Sequence, residues 1–219
     1  AVTDLVTKIG VKRAIVMVAA QSPLKVTLAG PLYPNAQSRF KMAEIAFNGQ
    51  KDVEVSDLEL RREGPSYTID TITELISQYP QLAICIGTDQ ALQLTQWHRF
   101  QDLVRLTDWI ILDRKPEPHE TSHGPESQTN KVLKLPEHLV TYDRPPTAFA
   151  LSTKAETIIR NAQAGGWLSG EISRDPAITF RLSHGDRRLM VYPTEARALS
   201  SSWIRQRIQK NGQIPENTL

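Results

Sequence analysis

Three consecutive serines, Ser200, Ser201 and Ser202, precede the helical pattern Trp203-Ile204-Arg205-Gln206-Arg207-Ile208. Serines ahead of such a run mark a helix start, where backbone N–H groups lack partners and the helix dipole favours an anion. With the hydroxyls and Arg205 as further donors this end suits a phosphate, although taken alone the stretch is better accounted for by plain serine capping beside a solvated arginine. Ile86-Gly87-Thr88-Asp89-Gln90 closes an apolar run with a similar choice. Gly87 permits close backbone approach and Asp89 can accept from ribose hydroxyls, or Asp89 simply caps the next helix. Trp97 offers a face for stacking on a ligand ring, or half of a core contact. Lys25, in Gln21-Ser22-Pro23-Leu24-Lys25, is either a point charge for phosphate or a solvated loop lysine. Arg62-Glu-Gly-Pro-Ser-Tyr-Thr-Ile-Asp-Thr71 stops one element and opens another, with Ser66 as the expected N-cap.

Other chemistries lack their residues. The sequence contains no G-x-x-x-x-G-K-[ST] loop, no G-x-G-x-x-G and no Cys/His metal spacing. His98, His119, His123 and His138 read as surface or structural residues. His184, in Ser-His-Gly-Asp, has no recognisable nucleophile paired with it. Asp57, Glu59, Arg61 and Arg62 alternate with apolar residues and read as the exposed face of a strand.

The elements that must position these side chains alternate in type. Residues 13–19 read as a buried strand, 38–49 as a helix with Met42, Ile45 and Ala46 on one face, and 53–60 as a strand. A helix over 66–80 aligns Ile69, Ile72, Leu75 and Ile76. Residues 82–87 form a buried strand holding Cys85 as a small buried hydrophobe, 100–106 a short helix and 108–114 a strand. Apolar strands alternating with helices predict a doubly wound α/β fold, a parallel sheet covered on both faces with ligands at the carboxyl ends. Residues 115–189 change character. A polar, proline-rich loop leads to a helix with capping-box spacing at Thr153 and Glu156 and an end at Gly165. A last strand (187–193) and a last helix (200–212) follow.

With 219 residues, 40% hydrophobic and a net charge of +2, the chain reads as one globular domain over 1–219, without a charge argument for nucleic acid. The single cysteine excludes an internal disulfide and fits a reducing, cytoplasmic setting. No apolar run approaches a membrane span, and no signal peptide is read at the start, which opens inside a helical pattern at Ala1.

Taken in order, Ser-Pro-Leu-Lys25, Ser38-Arg-Phe-Lys-Met-Ala-Glu-Ile-Ala, Val55-Ser-Asp-Leu-Glu-Leu-Arg-Arg-Glu-Gly-Pro-Ser-Tyr-Thr-Ile-Asp-Thr71, Ile84-Cys-Ile-Gly-Thr-Asp-Gln-Ala-Leu-Gln-Leu-Thr-Gln-Trp-His-Arg-Phe100, Ile110-Ile-Leu-Asp-Arg114 and Leu199-Ser-Ser-Ser-Trp-Ile-Arg-Gln-Arg-Ile208 resemble bacterial nicotinate-nucleotide adenylyltransferases, members of the nucleotidylyltransferase superfamily. The resemblance covers residues 1 to about 114 and about 188 to 215. It implies a Rossmann-like fold that transfers AMP from ATP to nicotinate mononucleotide with Mg2+ assisting. By position it implies phosphate contacts from Lys25, Ser201, Ser202 and Arg205, a nucleotide and ribose site lined by Gly87 and Asp89, and an acceptor site at Tyr67, Thr68 and Trp97. Arg114 is the weaker carry-over.

This sequence departs from the pattern in three places. The family's first strand and its G-x-F-D-P-x-H-x-G-H turn, with two phosphate-binding histidines, are not found, so no catalytic residue is assigned and the chain alone is expected to be inactive, a piece of a longer enzyme. Leu24 stands where a polar residue is usual before Lys25. The connection 115–189 is long, an insertion ahead of the last strand and helix that suits a lid, an oligomer contact or an extra subdomain. Other readings are nicotinamide mononucleotide or another phosphorylated acceptor in the same fold, and a non-catalytic nucleotide-binding homologue. ATP and the mononucleotide are the expected partners, with homo-oligomerisation left open and neither nucleic acid nor membrane implied.

Overall fold

The computed structural model describes residues 5–7, 9–23, 34–114, 151–173, 177–183 and 185–194. Residues 5–7 are helical. Strand β1 (Ala14–Met17) then pairs in parallel with β2 (Val53–Ser56), in register from Ala14 opposite Val53 to Met17 opposite Ser56. A parallel pair needs a crossover, and helix α1 (Ala36–Phe47) lies within it. Asn35 caps α1, its Oδ1 accepting from the Ser38 N–H at 2.8 Å, and Gly49 leaves the helix at φ +79°. Only glycine takes that left-handed conformation without a Cβ penalty.

A second sheet runs in the order β3-β4-β7-β6-β5. Strands β3 (Ala83–Gly87), β4 (Asp108–Arg114) and β7 (Arg188–Thr194) are parallel. Helices α2 (Thr68–Leu75), α3 (Thr88–Ala91), α4 (Phe100–Leu106) and α5 (Thr153–Ala164) connect and cover them. The expected α/β, Rossmann-like arrangement of parallel strands is present. Two antiparallel strands, β5 (Leu168–Ser173) and β6 (Ile178–Leu182), extend it beyond β7. The latter part of the segment read as a long connection, Leu168–Ser173 and Ile178–Leu182, thus continues the main sheet.

The core sits on β4. Trp109, Ile110 and Ile111 are all at most 2% exposed, as a strand covered on both faces requires. Trp109 and Ile111 join one cluster with Phe100, Leu103 and Val104 of α4, Ala155, Ile158 and Ala162 of α5, and Trp167. Burying each large side chain contributes about 1.5–3 kcal/mol. Gly165 closes α5 without a side chain because a Cβ there would come within 3.0 Å of the Trp167 ring.

Several local expectations are corrected. The strand at 53–60 stops at Ser56, and Leu58–Arg61 form a 3-10 turn. Glu59 is therefore not on an exposed strand face. It is buried and accepts a 2.6 Å hydrogen bond from the Thr71 hydroxyl, while Arg62 donates to Thr71 Oγ1 and to Glu74. Ser66 does not cap α2. Its Oγ accepts from the Ala20 N–H at 3.0 Å, tying two loops together, and Tyr67 is the N-cap residue. Ser152, not Thr153, caps α5. β1 is half-buried. On α1, Met42 and Ile45 are exposed and no residue is buried, so its apolar face lies open among the described residues. β3 alternates, and Cys85 falls on its exposed side with Ala83. The predicted last helix, the loop at 115–130, His119, His123, His138 and His184 lie outside the described residues. No helix among the described residues is long and apolar enough to cross a membrane.

Candidate functional site

The carboxyl ends of β3 and β4 bring together three of the residues singled out in the sequence, Gly87, Asp89 and Arg114. Gly87 stands opposite Leu112 in the parallel register, so two residues further along each chain bring Asp89 and Arg114 to the same level. Gly87 has φ −82°, a value open to any residue, and a Cβ there would meet nothing within 4 Å. What the glycine provides is open space in front of the strand end.

Asp89 is held on both oxygens. Lys154 Nζ donates to Oδ1 at 2.8 Å, and Arg114 Nη2 lies 3.6 Å from Oδ2. Asp89 and Lys154 are 60% and 52% exposed, so the pair is screened by water and its stability contribution is small. The two cations outnumber the single carboxylate, and the group carries a net positive charge at a sheet edge where ligands of α/β folds sit.

A buried hydrogen-bond chain delivers Lys154. Along β4 successive side chains face opposite ways, so Asp113 turns inward where Arg114 turns out, and Asp113 is 4% exposed. Its carboxylate accepts from the Ser152 N–H at 2.8 Å and from the Ser152 hydroxyl. That hydroxyl in turn accepts from the Ala155 N–H at 3.2 Å and caps α5. A buried carboxylate needs such donors to offset its lost hydration. The capping serine is thereby fixed to the end of β4, and Lys154, two residues on, reaches Asp89.

The expected acceptor residues form a second group. Tyr67, at the start of α2, stacks on His98 with ring centroids 4.5 Å apart and planes tilted by 38°. Trp97, next to His98, packs edge-on against Trp109 at 6.0 Å. The Trp97 indole nitrogen is buried without a hydrogen-bond partner among the described residues. Beside it a cavity of about 340 Å³ is lined by residues including Trp97, Arg99, Phe100, Asn161 and Trp167. Arg99 takes a left-handed conformation at φ 54°, uncommon for a residue with a side chain. Trp97 is thus part core and part cavity wall, and Thr68 opens α2 beside Tyr67. Lys25, Ser201, Ser202 and Arg205 lie outside the described residues.

Lys154, Asp113 and Ser152 have no role in the sequence reading, and His98 reads there only as a surface or structural residue. Lys154 belongs to no motif and Asp113 stands inside one without a role given to it, because their meaning depends on a strand end and a helix end meeting in space. Among the described residues no three His, Cys, Asp or Glu side chains gather that could hold a metal ion.

No protein-family model matches the chain. Curated relatives do match. A probable nicotinate-nucleotide adenylyltransferase of Opitutus terrae is 38% identical over 120 residues, 54% of this chain and 60% of that protein. Proteins of the same description from Pectobacterium atrosepticum (39% over 97 residues, 43% and 45%) and Geobacillus kaustophilus (34% over 90 residues, 40% and 42%) match as well. The chain spans about half the length of the curated relatives it matches. Over that shared part, its sequence is similar to bacterial proteins described as probable nicotinate-nucleotide adenylyltransferases.

Proposed function

We propose that the protein carrying this chain transfers AMP from ATP to nicotinate mononucleotide, giving deamido-NAD and pyrophosphate. The observation that carries this reading is Asp89, set between Arg114 and Lys154 at the carboxyl ends of β3 and β4, in a chain similar to proteins described by that activity. In the reaction a phosphate oxygen of the mononucleotide forms a bond to the α-phosphorus of ATP. The bond from that phosphorus to the bridging oxygen breaks, and pyrophosphate leaves with the electron pair. Such an in-line displacement needs aligned phosphates and neutralised charge, with no covalent nucleophile from the protein.

The roles divide along the two groups of residues. The space in front of Gly87 and the Asp89 carboxylate suit a ribose. Lys25, Ser201, Ser202 and Arg205 serve the ATP phosphates in this reading. Tyr67, the start of α2 at Thr68, and Trp97 serve the pyridine nucleotide, Trp97 by stacking. Mg2+ enters as the magnesium complex of ATP, because this small ion is held largely by phosphate oxygens and water.

The test is pyrophosphate release from ATP by the full-length protein, with nicotinate or nicotinamide mononucleotide as acceptor. Release that depends on nicotinate mononucleotide is the expected result. Release that prefers the amide moves the acceptor assignment. ATP binding with no turnover on either acceptor replaces the enzyme with a nucleotide-binding homologue.

A further inference from the structure

The ion pair on Asp89 has an origin that the strand-end motifs do not explain. Asp89 belongs to the Gly-Thr-Asp turn after β3, but its closer cation comes from 65 residues away, in the helix ahead of the β5–β6 extension. That cation is not a chance surface contact. The residue two before it is anchored by two hydrogen bonds to buried Asp113, and the residue after it, Ala155, is 0% exposed. Lys154 therefore leaves a fixed backbone position. Arg114 approaches the other oxygen at 3.6 Å, so the carboxylate is confined from two sides, with the tighter contact on Oδ1.

We propose that Lys154 is a positioning residue. It holds the Asp89 carboxylate in the orientation that accepts hydrogen bonds from the sugar hydroxyls of a bound ribonucleotide. The inference rests on the nucleotide site described above and adds to it a residue outside the strand-end motifs. An exposed carboxylate rotates freely and loses that freedom on binding a diol. A lysine on one oxygen removes part of that cost beforehand, leaving the remaining lone pairs for the sugar. Lys154 acts through Asp89, so its effect is confined to ligands that carry the hydroxyls.

This confinement gives the test. ATP and 2′,3′-dideoxy-ATP differ only at the sugar, and their affinities for the full-length protein are measured by calorimetry for the parent, Lys154→Met, Lys154→Gln and Lys154→Arg. The parent is expected to prefer ATP. Lys154→Met and Lys154→Gln are expected to weaken ATP by about 1.5-fold to fivefold, the scale of an exposed charge pair, and to leave the dideoxy nucleotide unchanged. Lys154→Arg is expected to restore most of the preference. Equal weakening of both nucleotides overturns the proposal, because the lysine then contacts the phosphates directly. An unchanged preference in both neutral variants also overturns it, because the ion pair is then an idle surface contact. Failure of the parent to bind either nucleotide defeats the nucleotide-site reading itself, a result separate from either of these.

Discussion

At the scale of single residues, environment has redistributed the roles that residue type suggested. Trp97 offered two uses, ligand platform or core, and it is placed as a core contact that also forms part of a cavity wall. One edge contact goes to Trp109, and its ring lines a cavity. Trp97→Ala is expected to raise the acceptor KM by about tenfold or more, from about 1–3 kcal/mol of lost stacking. Steady-state kinetics of the full-length protein at saturating ATP would measure it, and an unchanged KM would remove the stacking role. Cys85 is exposed on β3, yet water lost from around its sulfur pushes the thiol up to about 11. The neutral thiol is therefore the favoured form, and any stability linked to it is present at neutral pH and lost as pH rises toward that value. Iodoacetamide is expected to modify the folded protein slowly at neutral pH despite the exposure. Its rate should climb about tenfold per pH unit until near the thiol pKa, since only the thiolate reacts. A rate that levels off between pH 8 and 9, roughly the range of an unperturbed thiol, would contradict this.

At the scale of elements, the junction between β4 and α5 matters most for the site. Ser152 combines two functions, capping α5 and donating to buried Asp113. Ser152→Ala removes the cap, worth about 0.5–2 kcal/mol. It also leaves the Asp113 carboxylate with the backbone N–H of residue 152 alone among the donors just described. The expected loss is about 1–3 kcal/mol in all, read as a lower urea midpoint with an unchanged slope. A midpoint equal to that of the parent would show that α5 is held by its apolar face alone. The buried Glu59–Thr71–Arg62 chain acts similarly for the 3-10 turn and α2. Its spacing of 12 residues, 59 to 71, carries no periodic signal, which is why Glu59 read as a surface residue. β6 was legible in principle, since Ile178, Phe180 and Leu182 alternate as a half-buried strand does. β5 was not. Its Leu-Ser-Gly-Glu-Ile-Ser sequence is polar and exposed beyond Leu168, and it stands as a strand through pairing with β6 along one edge.

At the scale of the whole molecule, stability is concentrated around β4. β3 and β7 flank it, and helices α4 and α5 contribute to the core that includes Trp109 and Ile111. The two-stranded β1–β2 sheet is only partly buried, and α1 buries no residue. Amide hydrogen exchange is therefore expected to be slowest in Ile110–Leu112 and Leu189–Val191 and much faster in α1 and β5, because local opening costs least where few apolar contacts break. Protection in α1 equal to that in β4 would contradict this distribution and would mean that the exposed Met42 and Ile45 face is covered in solution.

Sequence alone was enough for the parallel α/β core and for placing Gly87, Asp89 and Arg114 at the carboxyl ends of strands. Those features follow from local periodicity and from the geometry of parallel strands, in which consecutive carboxyl ends share one edge. Tertiary packing was needed to bury Glu59 and Asp113, to make Ser66 join loops instead of capping a helix, to turn Cys85 outward, and to bring Lys154 to Asp89 from a distant helix. Each depends on which groups meet across 12 to 65 residues of chain. Burial and pairing at such separations are set by packing of whole elements, and no window of sequence contains both partners and the path that joins them.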